Sequence, residues 1–183
     1  MKIGSIFEDT TIEKRVAITP DIAKKYIDLG LEVQITEKYA EHLGFHQSDY
    51  KDQGVNIIND QEKLIQNSDI IIQMGLLDDK YLASLKSDQT YIGVLNPHEN
   101  HEKLNLLSQK KINLFSLDQL PRITRAQSMD VLSSQANLAG YKAVIESFAK
   151  FEKAIPMMMT AAGTVPAAKV LIVGAGVAGL QAI

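Results

Sequence analysis

Asp69-Ile70-Ile71-Ile72-Gln73-Met74 sets three consecutive isoleucines between polar neighbours. A strand with one wet face alternates apolar and polar residues. An unbroken apolar run is what a parallel strand covered on both faces needs. Working outward, residues 2–7, 32–36, 55–58, 90–95 and 112–115 read as further short strands. Helical stretches separate them: residues 20–29, 47–53 closed by Gly54, 61–67 capped by Asp60, a helix near 79–86, and 99–110. Thr19-Pro20-Asp21 is a helix start, with Thr19 as acceptor for orphan N–H groups and Pro20 in the first helical position. Ile22, Ala23, Tyr26, Ile27 and Leu29 form one apolar face, and Gly30 suits a left-handed cap. Strands joined by helices at this spacing imply a parallel sheet with right-handed crossovers. The expected fold is α/β, a doubly wound, Rossmann-like sheet.

Composition agrees with a globular chain and excludes several functions. Of 183 residues, 45% are hydrophobic and 22% charged, with a formal net charge of −3. That balance offers no basic footprint for nucleic acid. Without cysteine there is no disulfide framework, thiolate nucleophile or Cys-ligated zinc. His98 and His101, beside Glu99 and Glu102, have helical i, i+3 spacing, yet after Asn96-Pro97 they read as an exposed helix start. No metal site is expected.

The character of the chain changes late. Of its 41 Asp, Glu, Lys and Arg residues, 40 lie at or before Lys153 and only Lys169 follows. Residues 127–150 read as one long helix with a small-residue surface, Ala136, Ala139, Gly140 and Ala143 among it, suited to an inter-domain strut. Met157-Met158-Met159 reads as core filler. Pro156, Gly163, Pro166 and Lys169 interrupt the apolar tail too often for a membrane span of about 20 residues. The expected domains are 1–125, an α/β unit; 126–153, the linking helix; and 154–183, the start of a second, incomplete Rossmann domain.

That last segment carries the chemistry. Strand 169–173 runs directly into Gly174-Ala175-Gly176-Val177-Ala178-Gly179. In a dinucleotide fingerprint the first glycine makes a tight turn and the second lets backbone approach the pyrophosphate. The third lets helix and strand pack closely, while N–H groups at the helix start face the phosphates. Gly174, Gly176, Val177 and Gly179 are therefore the candidate cofactor-binding residues. The plainer alternative is an apolar Gly-Ala turn with no ligand. A complete βαβ unit takes about 30 residues or more, with an acidic ribose-binding residue about 20 positions on. Four residues follow Gly179, so the chain is expected to be a truncated piece, with its NAD-versus-NADP preference unreadable. The apolar tail is expected to pack on its own α/β domain or on a neighbouring copy.

Three stretches together resemble one family. They are Lys14-Arg15-Val16-Ala17-Ile18-Thr19-Pro20; Pro121-Arg122-Ile123-Thr124-Arg125-Ala126-Gln127-Ser128-Met129-Asp130, continuing through Ser133-Ser134-Gln135-Ala136-Asn137-Leu138-Ala139-Gly140-Tyr141; and Met157-Met158-Met159-Thr160-Ala161-Ala162-Gly163-Thr164. Over essentially its whole length the chain is similar to the N-terminal, NAD(H)-binding portion of the alpha subunit of proton-translocating NAD(P) transhydrogenases, relatives of alanine dehydrogenases. The resemblance implies direct hydride transfer from bound NADH to NADP+ held on a separate partner domain, coupled to proton movement through a membrane-embedded subunit. It also implies a homodimer, cytoplasmic and peripheral on the inner face of the membrane. Arg122, Gln127, Asp130 and Ser133 then match residues around the nicotinamide end of the cofactor, with Gln127 and Asp130 as the catalytic candidates. From the residues alone, Arg122 and Asp130 read equally as a helix-entry charge pair with Gln127 solvated.

The dehydrogenase branch fits less well. Arg15 stands where alanine dehydrogenases bind pyruvate. Gly75 falls where they use a lysine, however, and Asn96 where they use a histidine. Reductive amination then lacks a cation to polarise the keto group and a proton donor. An interaction module without catalysis is the reading from a different class.

Overall fold

The structure, a computed structural model, describes residues 1–183. Its contacts divide it into two compact units, Met1–Leu120 and Pro121–Ile183.

In the first unit, six strands form one parallel sheet: β1 (Lys2–Ser5), β2 (Glu32–Thr36), β3 (Asn56–Ile58), β4 (Ile70–Ile72), β5 (Thr90–Gly93) and β6 (Asn113–Ser116). Their spatial order is β3-β2-β1-β4-β5-β6, with every neighbouring pair parallel. The chain winds outward from β1 to β3, returns to β4 beside β1, and winds outward the other way. The direction therefore reverses between β1 and β4, which opens a crevice at the carboxyl ends of those strands.

Side-chain alternation assigns the two faces. Ile3, Val33 and Ile35 join a buried cluster with Ala23 of α1 (Pro20–Asp28) and Tyr50 of α2 (Gln47–Lys51). Ile71 and Tyr91 join the opposite cluster with Leu64 and Ile65 of α3 (Gln61–Asn67), Leu82 of α4 (Asp79–Ala83) and Leu107 of α5 (His101–Gln109). Ile70 and Ile72 pack against the first cluster while Ile71 enters the second. The triple isoleucine is thus buried from both sides, as its unbroken run requires.

Two helix starts in this unit show how far the sequence signals hold. Asp60 caps α3, its carboxylate accepting from Lys63 N at 3.1 Å. Asp60→Ala should lower stability by about 1 kcal/mol, read as a shift of the urea midpoint; a change below about 0.3 kcal/mol would remove the cap from the account. Thr19 makes no side-chain cap. Its carbonyl accepts from Ala23 N at 2.8 Å instead, and Pro20, lacking an N–H, already removes one orphan donor.

The second unit departs further from expectation. A 3-10 segment, Thr124–Met129, occupies the expected start of the long helix. The helix itself, α6 (Val131–Lys150), begins only after Asp130, whose non-helical backbone and capping carboxylate set its first turn. Helix α6 belongs to the same unit as the glycine turn, and the expected boundary at 125 lies inside that unit. Met158–Thr160 (β7) and Gly163–Val165 (β8) form an antiparallel hairpin. Met159 is 84% exposed and Met157 64%. These methionines are not core filler, because a two-stranded hairpin has no second layer to bury them.

Residues 169–173 belong to neither sheet. A strand exists only through its ladder, and no neighbouring backbone pairs with this segment. Leu171 is 87% exposed, Val173 91% and Ile183 82% within the single chain. The glycine turn leads into α7 (Val177–Ala182), which crosses α6. No helix is long and apolar enough to cross a membrane.

Candidate functional site

In the second unit a cleft of about 370 Å³ is lined by residues from two places in the chain. Arg122, Leu132, Ser133 and Ala136 come from the entry and first turns of α6; Val173, Gly174, Gly176, Val177, Ala178 and Gly179 come from the glycine turn. Five sequence-predicted binding residues of the turn and of α6, together with Arg122, therefore share one concavity.

Local geometry explains the turn. Gly174 has φ +102°, a conformation other residues rarely adopt. A Cβ on Gly179 would fall on the Gly174 carbonyl oxygen and come within 2.9 Å of its carbon, both backbone atoms. A Cβ on Gly176 would meet nothing within 4 Å. The first and third glycines thus close the turn, and the second leaves its backbone bare toward open space. Those are the features a close-approaching pyrophosphate needs, so the residues present fit a dinucleotide.

The α6 entry is electrostatically ordered. Asp130 Oδ1 accepts from Ser133 N at 2.8 Å. Hydrogen bonds from Ser133, with the Arg122 guanidinium contributing less, hold the Asp130 carboxyl below its ordinary value. Asp130 is thus an anionic helix cap, with the Arg122 guanidinium as a weaker electrostatic influence. Neither Asp130 nor Gln127 lines the cleft. Gln127 is exposed in the 3-10 segment, and its carbonyl accepts from Asp130 N at 3.3 Å. Leu132 and Ala136 are lining residues absent from the sequence-based candidates. Their signal is spacing: they are i, i+4 neighbours on one helix face.

The first unit has its own cavity, about 280 Å³, in the crevice between β1 and β4. Arg15, Gly75 and Asn96 all line it, so the positions that decide the dehydrogenase chemistry do converge. Arg15 is engaged by Glu13, donating from Nε at 2.9 Å and from its terminal nitrogen at 2.6 Å. Glu8, absent from the sequence-based candidates, also lines this cavity. Its Oε1 accepts from Met74 N at 2.8 Å and Gln73 Nε2 at 3.1 Å. Burial raises its pKa above the usual carboxylate value, and the bond from Met74 opposes that. With Asp9, Glu13 and Asp78 also present, carboxylates outnumber the single guanidinium. These are poor surroundings for a keto-acid anion.

A doubly wound parallel sheet followed by a glycine turn against a helix defines a nucleotide-type α/β protein. The family described as alanine dehydrogenase/PNT matches through its N-terminal domain at residues 5–139 and its C-terminal domain at residues 143–183. The chain belongs to that family. It is 42% identical, over its whole length, to an NAD(P) transhydrogenase alpha-subunit polypeptide of Rickettsia prowazekii, covering 49% of that protein. It superimposes on the crystal structure of transhydrogenase from Sinorhizobium meliloti with TM-score 0.93 and 37% identity, covering 100% of this chain and 54% of that one. Similarity to alanine dehydrogenase 2 of Staphylococcus aureus is lower, 28% over the whole chain and 49% of that protein. The chain spans about half the length of these curated relatives. Within the family it stands with the transhydrogenase alpha subunits, and the alanine dehydrogenases are distant.

Proposed function

We propose that this chain is the NAD(H)-binding component of a proton-translocating NAD(P) transhydrogenase. Its partners in that reading are an NADP(H)-binding domain and a membrane-embedded proton-channel subunit, to which it is peripheral on the cytoplasmic face, as a homodimer. The observation that carries the reading is the cleft in which Arg122 and Ser133 face Gly174, Gly176, Val177 and Gly179. Bound NADH supplies the hydride. The protein's task is to position the cofactor and exclude water rather than to shuttle protons.

Each residue has a distinct task in this reading. The bare backbone at Gly176 admits the pyrophosphate, and Arg122 offers five donors to phosphate or ribose. Asp130 holds Ser133 and the start of α6 in place. Gln127, its amide exposed to solvent, bonds the carboxamide or ribose of the nicotinamide half. The 183-residue chain is expected to be inactive alone, since it spans only about half of its transhydrogenase relative.

Titrating NADH into the 183-residue chain, and into a chain extended to the length of its transhydrogenase relatives, with cofactor fluorescence as readout, tests this reading. Binding by neither favours an interaction module. NADH oxidation dependent on pyruvate and ammonia favours a dehydrogenase. In the assembled enzyme, Gln127→Ala should slow single-turnover hydride transfer about tenfold or more while leaving NADH affinity within about twofold. An unchanged single-turnover rate rejects that role for Gln127.

A further inference from the structure

Gly140 sits in the middle of the 20-residue helix α6 and is its one buried residue. Glycine is among the poorest helix formers, and its cost in a helix interior is only offset where absence of a side chain is itself needed. The structure shows that need. A Cβ on Gly140 would fall on the carbonyl oxygen of Ala178 and lie 2.9 Å from that residue's carbonyl carbon and Cα. All three are backbone atoms, so no side-chain rotation relieves the overlap. Either α7 moves away from α6 or the glycine stays.

Ala178 lies within the glycine turn and lines the cleft. Ser133, Ala136 and Gly140 fall at i, i+3 and i+7 along α6, one face of the helix. The same face therefore carries the cleft wall at one end and the backbone-to-backbone crossing at the other. Gly179 meets Gly174 from inside the turn while Gly140 meets Ala178 from outside it. Together they leave the 174–179 backbone one place to lie.

We infer that Gly140 is a positioning residue for the dinucleotide cleft: its missing side chain sets the distance between Ser133 and the Gly176 backbone. This rests on the NAD(H) reading above. Gly140 touches no substrate and acts only through Ala178.

The test compares wild type and Gly140→Ala in the full-length gene product assembled with its partner subunits. The expected result is a rise of about tenfold in both the NADH dissociation constant and the KM for NADH, with kcat at saturating NADH within about twofold of wild type. A merely structural role predicts the reverse, because partial unfolding lowers the active fraction and hence kcat while KM stays put. That result, or no change in either constant, overturns the inference. Should the variant not fold, hydrogen exchange on wild type decides. NADH should slow amides of residues 137–143 as well as 174–179, and protection confined to 174–179 overturns the inference. Wild type that fails to bind NADH removes the cofactor reading and this inference together. Wild type that binds, beside a variant with unshifted KM, removes this inference alone.

Discussion

Gln73→Leu lowers the unfolding free energy by about 3 kcal/mol or more, because one buried amide serves four hydrogen bonds. Gln73 is 3% exposed, directly after β4. Its Oε1 accepts from Ser5 Oγ at 2.7 Å and from Ile6 N at 2.8 Å. Its Nε2 donates to the Ile6 carbonyl and to Glu8 Oε1, each at 3.1 Å. Leucine fills similar space but leaves the Ile6 N–H and carbonyl without these partners. Each such orphan costs about 1–3 kcal/mol. Ser5 retains a bond to Tyr39, a phenol that burial keeps neutral, its pKa pushed up to about 12. The loss is large against a typical domain stability of about 5–15 kcal/mol. Urea unfolding checks it: the midpoint should fall at unchanged slope. A loss below about 1 kcal/mol would show that water replaces the amide.

The second large effect is on binding. Gly179→Val in the full-length gene product should weaken NADH binding about 100-fold, near 2.7 kcal/mol. Its Cβ position is set by the backbone, and the Gly174 carbonyl occupies it. The turn must open, carrying away backbone groups that line the cleft. Losing one or two hydrogen bonds to a charged pyrophosphate, at about 1.5–3 kcal/mol each, accounts for the magnitude. The core of the first unit draws on neither residue, so its cooperative unfolding should persist. A dissociation constant within about threefold of wild type would show that this turn does not hold the cofactor.

These two effects differ in how far the sequence announces them. Gly179 is legible because its partner Gly174 is five residues away and the spacing is a local steric rule. Gln73 is not, because its partners Ser5, Ile6 and Glu8 lie more than sixty residues earlier, brought beside it only by parallel pairing of β1 with β4. Arg15 is a different case: its place in a family motif suggests a substrate contact, and in the folded chain its guanidinium lines the first unit's cavity while bonding Glu13, a neighbour two residues away. Helix α6 fails for a further reason. Residues 127–130 contain no Gly or Pro to break a helix, yet the Asp130 cap starts it at Val131, because an Asp side chain that bonds backbone N–H groups competes locally with helix continuation.

What the sequence determined by itself is everything set by neighbours along the chain: alternating strands and helices, a strand buried on both sides at Ile70-Ile71-Ile72, a cap at Asp60, and a tight glycine turn at 174–179. Tertiary structure alone decided the strand order that opens a crevice between β1 and β4, the carboxylates gathered there, and the crossing that places Ala178 against Gly140. The physical reason is range. Backbone torsions and hydrogen-bonding periods act over a few residues, while packing distances between remote segments exist only once the whole sheet and both helices have closed.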